Sequence, residues 1–479
     1  MTTNELDPRR WLALAVVGAA FFMTILDVSI VNVALPTIGR KLHFSESNLQ
    51  WVVTAYALTF GGFLMLGGRA ADLLGRRRVF MGGVALFSVA SLVCGLASSD
   101  SVLIAARAVQ GLGGAIISPA ALSIVSTTFT EGAERNKALG IWGALGGSGA
   151  AVGVLAGGVL TKYAGWEWIF FVNVPVGALV IVLAPQFVRE SRVEKEEHRY
   201  DPLGAISVTA GLALLIYAVS KAPFVGWATS RTILLLIGSA VLVAAFLVIE
   251  RRVRDPLMPF EIFRVRTVSG ANAVGFLLGG VIFANFFVLT LYVQDVLGYS
   301  ALKAGVTFVA TAGTAVVAAG VSQALVTRVG VKPILATGLL LLLAGMVWYT
   351  RIPVDGHYAS DLLPGYLLVG VGIAFSFVPV SIAALAGVEA HEAGLASGLI
   401  NTSQQIGGAI GVALASTVFT SHFDHQRLTP KLLTDGYALA FWVMVAFAAA
   451  ALVGTLLLVR REELVQVPGA APAPAEGSS

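Results

Sequence analysis

The sequence predicts an all-α, polytopic membrane protein. Hydrophobic residues make up 57% of the 479-residue chain and charged ones only 12%, against roughly a quarter in soluble proteins. The mean hydropathy is +0.85. Apolar runs of about 20 residues, the length that crosses a bilayer core, recur along the whole chain. The composition excludes an ordinary soluble enzyme, and the spacing of the runs leaves no room for a soluble domain hung on an anchor.

Taking each run to its bounding Gly, Pro or charge gives fourteen predicted spans. The first, 11–36, carries the carboxylate Asp27 and is too long for a cleaved secretory signal, so it is expected to remain. Spans at 50–70, 79–98 and 102–128 follow, then a glycine-rich one at 137–161 and one at 167–188 behind Trp166 and Trp168, which read as interfacial anchors. Two spans, 203–221 and 232–250, are flanked by charged linkers. The last six are 267–293, 302–326, 332–350, 361–386, 394–420 and 436–459. Residues 467–479, VPGAAPAPAEGSS, read as a disordered tail.

On this count 21 of the 31 Lys and Arg residues fall on the side that holds both termini. By the positive-inside rule that side is cytoplasmic. The net charge of +4 thus reflects topology, and no nucleic-acid partner is expected. The single cysteine, Cys94, has no partner in the chain and reads as a packed small residue. His422, Asp424 and His425 lack a further ligand and read as a solvated loop, so no metal site is expected. Without a Gly-Lys-Ser/Thr phosphate loop, no nucleotide or other cofactor is expected either.

The chain echoes itself. GRAADLLGRRR (68–78) joins spans two and three; QALVTRVGVK (323–332) joins spans ten and eleven and keeps a glycine, Gly330, with a basic residue two positions on. The echo predicts two six-span halves, 1–190 and 261–466, with two inserted spans and their linkers at 191–260.

Four segments carry a family resemblance. GRAADLLGRRR, through Gly68, Asp72, Gly75, Arg76 and Arg77, resembles the cytoplasmic loop signature of the major facilitator superfamily. IAARAVQGLGGA (104–115) resembles its span-four signature, with Arg107, Gln110 and Gly111 in place. LDVSIVNVALP and WEWIFFVNVPVG (166–177) resemble segments of its fourteen-span drug/proton antiporter branch, the EmrB/QacA-like exporters. One departure stands out: where that branch has a Gly-Pro pair in span five, GSGAAVGVLAGG (147–158) has Gly153-Val154. Gly143, Gly147, Gly153, Gly157 and Gly158 still permit close helix packing, but the proline kink is missing.

The candidate site residues follow. A charge buried in the bilayer costs about 2.5–3.5 kcal/mol on insertion scales, so Asp27 and Arg107 are candidates for proton coupling. Arg107 needs acceptors, which Asp27, Asn32 or span-one carbonyls are able to supply, and Gln110 shares its helical face. In the 68–78 segment, Gly68 and Gly75 permit a tight connection, Asp72 can cap a neighbouring helix and the arginines can pair with acids: a conformational latch. The resemblance places the pathway on spans 1, 4, 9 and 12, whose candidates for cargo contact are Phe21, Phe22, Asn32, Gln110, Asn272, Asn285, Tyr292, Phe375, Ser376 and Phe377. Asn401, Gln404 and Gln405 in span thirteen glue helices or line the pore.

The leading expectation is a proton-coupled multidrug exporter of small amphipathic or cationic compounds in a cell membrane, working as a monomer among lipids and not as an enzyme. An exporter of one metabolite or lipid is the alternative within transport. A membrane-embedded lipid transferase using Asp27 and Arg107 is the alternative in a different class; the lack of a second deep acid, histidine or metal cluster argues against it.

Overall fold

The computed structural model describes residues 9–44, 49, 51–129, 133–191, 201–253, 256, 258, 260–386, 388, 392–422 and 429–459. The 192–200 linker, Asp424, His425 and the 467–479 tail lie outside the described residues, as does Gly147 inside its helix.

Fourteen long helices follow one another among the described residues. They are α1 (Arg10–Lys41), α2 (Trp51–Leu74), α3 (Arg76–Gly95), α4 (Asp100–Thr128), α5 (Ala133–Tyr163), α6 (Trp168–Phe187), α7 (Pro202–Val225), α8 (Ser230–Glu250), α9 (Arg266–Val296), α10 (Leu302–Val329), α11 (Val331–Tyr349), α12 (Tyr358–Ala384), α13 (Ala393–Ser421) and α14 (Pro430–Leu458). Local chemistry starts several of them: Ser99 accepts from the Val102 amide, Asp201 from Gly204 ahead of Pro202, and Thr429 from Leu432.

Twelve of these helices are long and apolar enough to cross a membrane. The other two, α5 and α13, are 31 and 29 residues long. The described residues of α5 are interrupted at 147 and 150–151, and the polar run of α13 lowers its hydropathy. α5 is rich in glycine and packs against α1, α10 and α12; α13 carries the NTSQQ run and packs against α2, α4, α7, α9 and α14. A helix surrounded by protein can carry small and polar residues that a lipid-facing one cannot.

Helices α1–α6 and α9–α14 pack in the same pattern. In the first half α2 and α3 pack on α4, α1 packs on α5 and α6, and α3 on α6. In the second half α10 and α11 pack on α12, α9 on α13 and α14, and α11 on α14. The two halves meet along α2–α13 and α4–α13 on one side and α5–α10 and α5–α12 on the other.

The segment 69–78, expected as a loop, is almost entirely helical. α2 runs on to Leu74 and α3 starts at Arg76, so the connection is Gly75 alone, at φ 103°. Its counterpart between α10 and α11 is Gly330, at φ 93°. A positive φ at a one-residue joint is why each position is glycine. Gly68 therefore serves helix packing and not a turn. Trp166, expected at the membrane interface, is buried edge-on against Phe170, while Trp168 is half exposed.

The inserted pair lies to one side. α7 packs against α2 and α13, one helix from each half, and α8 packs against α7. Leu234, Ile237 and Val241 of α8 are exposed. Val241→Gln is expected to leave transport per folded molecule within about twofold of the parent while lowering stability in the membrane by roughly 1–3 kcal/mol. A coupled-flux assay beside a thermal-melt assay checks it; lost coupling in a well-folded variant puts α8 on the pathway.

Candidate functional site

The first half holds a closed polar cluster. Asp27 on α1 and Arg107 on α4 are completely or almost completely buried and form an ion pair of 2.5 Å. Arg107 also donates to Gln110 Oε1 at 2.7 Å, one turn along the same face, and through Nε to the Val52 carbonyl of α2 at 3.0 Å. Its guanidinium lies 4.3 Å from the ring centre of Tyr56. Asn32, offered by the sequence as an acceptor, is exposed and instead donates to the Val28 carbonyl.

The other Asp27 oxygen accepts from Gln110 Nε2 at 2.8 Å and from Asn173 Nδ2 of α6 at 3.1 Å. Both amides also donate to Ser91 Oγ of α3, at 3.1 and 3.0 Å, and Ser91 donates in turn to the Phe170 carbonyl. Five helices thus meet in one cluster, three of them (α1, α4 and α6) at the carboxylate itself. Taking two charges out of water costs several kcal/mol per ion, and only such a complete set of partners offsets it. Every donor around Asp27 suits a carboxylate. A proton on either oxygen would turn an acceptor into a donor facing N–H groups, so its arrival must rearrange contacts between α1, α4 and α6.

Sequence reasoning found Asp27, Arg107 and Gln110 and missed Asn173, Ser91 and Tyr56. Asn173 had a signal, being an amide in the apolar run of α6; a serine or tyrosine in a membrane helix carries none.

The second feature is a seal at the end of the bundle that holds Arg76, Arg77 and Arg78. Asp72 is fully buried, accepts from Arg76 at 2.7 Å, and accepts the Gly394 and Leu395 amides at 3.1 and 3.0 Å. Those two amides open α13, so an N-half carboxylate caps a C-half helix. The backbones touch as well: a Cβ on Gly68 would come within 2.4 Å of the Gly394 carbonyl oxygen. Glu190, just past α6, accepts the Arg77 and Arg78 amides at 3.1 and 3.2 Å and fixes the start of α3. Arg69 reaches the Pro256 carbonyl beyond α8 at 3.1 Å.

The seal continues inward. Ser118 of α4 bonds Asn401 of α13 at 3.2 Å. Gly143 of α5 lies against Val378 of α12. Residues 117–126 of α4 are all buried. Toward the opposite end α5 stays against α10, where Gly158 meets Leu302 and Val154 meets Gly305. α4 is enclosed by α1, α2, α3, α5 and α13, yet Val102, Ala105 and Val109 form an exposed stripe along it. Asn32 on α1, Phe283 and Phe287 on α9 and Leu367 on α12 are exposed as well. At the arginine end the two halves are joined by both backbone and side-chain bonds.

Against this geometry the remaining candidates divide. Phe21 is buried and stacked on Trp142 at 3.8 Å, while Phe22 and Phe377 are half-buried beside α5. Asn272 accepts from Ser403, Tyr292 donates to the Pro353 carbonyl, and Asn285, Phe375 and Ser376 are buried. Gly153 and Gly157 let α5 lie on the backbone of α1, and Gly158 lies against Leu302 of α10.

Comparison with known proteins gives three results. The family profile described as "Major Facilitator Superfamily" matches residues 17–412. The chain is 40% identical to the puromycin resistance protein pur8 of Streptomyces alboniger over 459 residues, covering 94% of this chain and 90% of that one. It is 38% identical to the cephamycin export protein CmcT of Amycolatopsis lactamdurans, covering 93% and 92%. Among solved structures it resembles the human organic anion transporter MFSD10 (TETRAN), with a TM-score of 0.69 at 16% identity over 94% of this chain and 100% of that one.

Proposed function

The chain belongs to the Major Facilitator Superfamily, and from that premise we propose that it exports small amphipathic, drug-like compounds in exchange for protons. It is a multi-pass transporter of small molecules. The proposal adds fourteen spans with both termini and the arginine-rich seal in the cytoplasm, two six-helix halves, α7 and α8 as an insert, and a monomer as the working unit.

The observation that carries the reading is the pairing of a sealed arginine-rich end with a buried carboxylate–guanidinium cluster that touches five helices. With that end cytoplasmic, the described state faces outward. Cargo binds in the opposite state, from the cytoplasm, as Asp27 loses its proton inward; the seal then closes, and reprotonation from outside releases the cargo. A membrane potential of 100 mV contributes about 2.3 kcal/mol per charge moved, enough to drive such a cycle. Gln110 orients the ion pair, and Asp72 holds the outward state. The names of the relatives, puromycin resistance and cephamycin export among them, support the direction of transport.

The test is accumulation of puromycin and a panel of amphipathic drugs in an efflux-deficient host. Expression is expected to lower steady-state accumulation several-fold, with full recovery when the proton gradient is collapsed. Unchanged accumulation across the panel, or export that survives collapse of the gradient, overturns the reading.

A further inference from the structure

One face of α13 is turned toward α4 of the first half. It carries Asn401, Gln405 and Gly408 at i, i+4 and i+7, one stripe of a helix. Asn401 marks its direction, since it bonds Ser118 of α4 across the seal. Gln405 sits one turn farther from Gly394, is half-buried, and its amide has no partner among the described residues. At Gly408 the ring of Phe283 crosses from α9 so closely that a Cβ would come within 2.5 Å of it. Phe283 and Phe287, one turn apart, are 39% and 37% exposed.

We infer that Gln405, Phe283 and Phe287 form a specificity-determining subsite of the export pathway, and that it takes an uncharged, flat aromatic compound bearing a hydrogen-bonding group. The inference rests on the export reading and narrows its cargo. Flat rings stack on the two phenylalanines, and the free amide offers a donor and an acceptor to one polar group. Cations, included in the sequence expectation, fare worse. None of the exposed stripe residues is acidic, and the deep carboxylate Asp27 is buried with both oxygens engaged. The attraction of a ring face for a cation is smaller than the cost of stripping that cation of water beside no counter-charge.

Acridone and N-methylacridinium share one tricyclic shape and differ in charge. Their equilibrium binding to the full chain in nanodiscs, followed by fluorescence, separates the alternatives. Wild type is expected to bind acridone at least about tenfold more tightly than the cation. Gln405→Leu and Phe283→Ala are each expected to weaken acridone about tenfold. Gln405→Glu is expected to raise binding of N-methylacridinium about tenfold, a gain that misfolding cannot produce. Equal or tighter binding of the cation by wild type, absence of acridone binding, or Gln405→Leu behaving as wild type each overturns the inference. The measurement uses no proton gradient, so failure of drug export with acridone binding intact counts against the export reading alone.

Discussion

Asp27→Asn is expected to abolish cargo-driven proton movement in proteoliposomes and to cost about 3–5 kcal/mol of stability. Two losses combine. Arg107, 1% exposed, keeps its place beside Gln110 and the Val52 carbonyl but loses the only negative charge that compensates it. The new amide also turns one of the two acceptor oxygens into a donor that faces Arg107, Gln110 or Asn173. The destabilisation alone would not prove a coupling role, since any broken buried ion pair behaves so. The double variant Asp27→Asn/Arg107→Gln separates the two. With both charges gone, most of the stability is expected to return, because an uncharged network leaves no buried ion unpaired. Proton movement is expected to stay absent, because no titratable carboxylate remains. A double variant that concentrates drug against a gradient with normal proton exchange makes Asp27 a packing residue and moves the coupling site elsewhere.

The reason this site was legible in the sequence is the same physics that makes the variant costly. A carboxylate and a guanidinium inside apolar runs are so unfavourable that they announce each other, and Gln110 follows from helical spacing. The fold was legible for a similar reason, since runs of about 20 apolar residues are set by bilayer thickness. The cargo-facing residues were not. Choosing polar residues on α9 gave Asn272, Asn285 and Tyr292, all buried; polar groups in a membrane helix seek partners within the protein. Val109, Phe283 and Phe287 are exposed, yet in sequence they look like any lipid-facing residue. Which side of a helix meets lipid and which meets a cavity depends on its neighbours. The latch was half legible. Asp72 and its arginine stood out, but its partners are two backbone amides more than 300 residues away, and backbone amides leave no trace in sequence.

Those two amides set the size of the second effect. In the state described here Asp72 accepts from Gly394 and Leu395 across the halves, and once the seal opens both bonds are gone while its pairing with Arg76, four residues on, can persist. Only the bonds between halves bias the equilibrium, because a contact present in both states shifts nothing. Hydrogen bonds to a charged group contribute roughly 1.5–3 kcal/mol each, so Asp72→Ala is expected to shift the balance toward the cytoplasm-open state by about 3 kcal/mol, on the order of a hundredfold. Export is expected to fall while cargo affinity in the binding state stays close to that of the parent. Gly68→Val supplies an independent push with Asp72 intact, since its Cβ would press on the Gly394 carbonyl at 2.4 Å and neither backbone can yield without parting the helices. Single cysteines at Ser118, in the seal, and at exposed Asn32 on α1 read the outcome with an impermeant maleimide applied from either side; native Cys94 is buried. Both variants are expected to raise labelling at position 118 from the cytoplasmic side and lower it at position 32 from outside. If the labelling ratio stays at the parental value in both, the arginine-rich end fixes topology only, and the bonds from Asp72 to α13 do not govern which way the pathway faces.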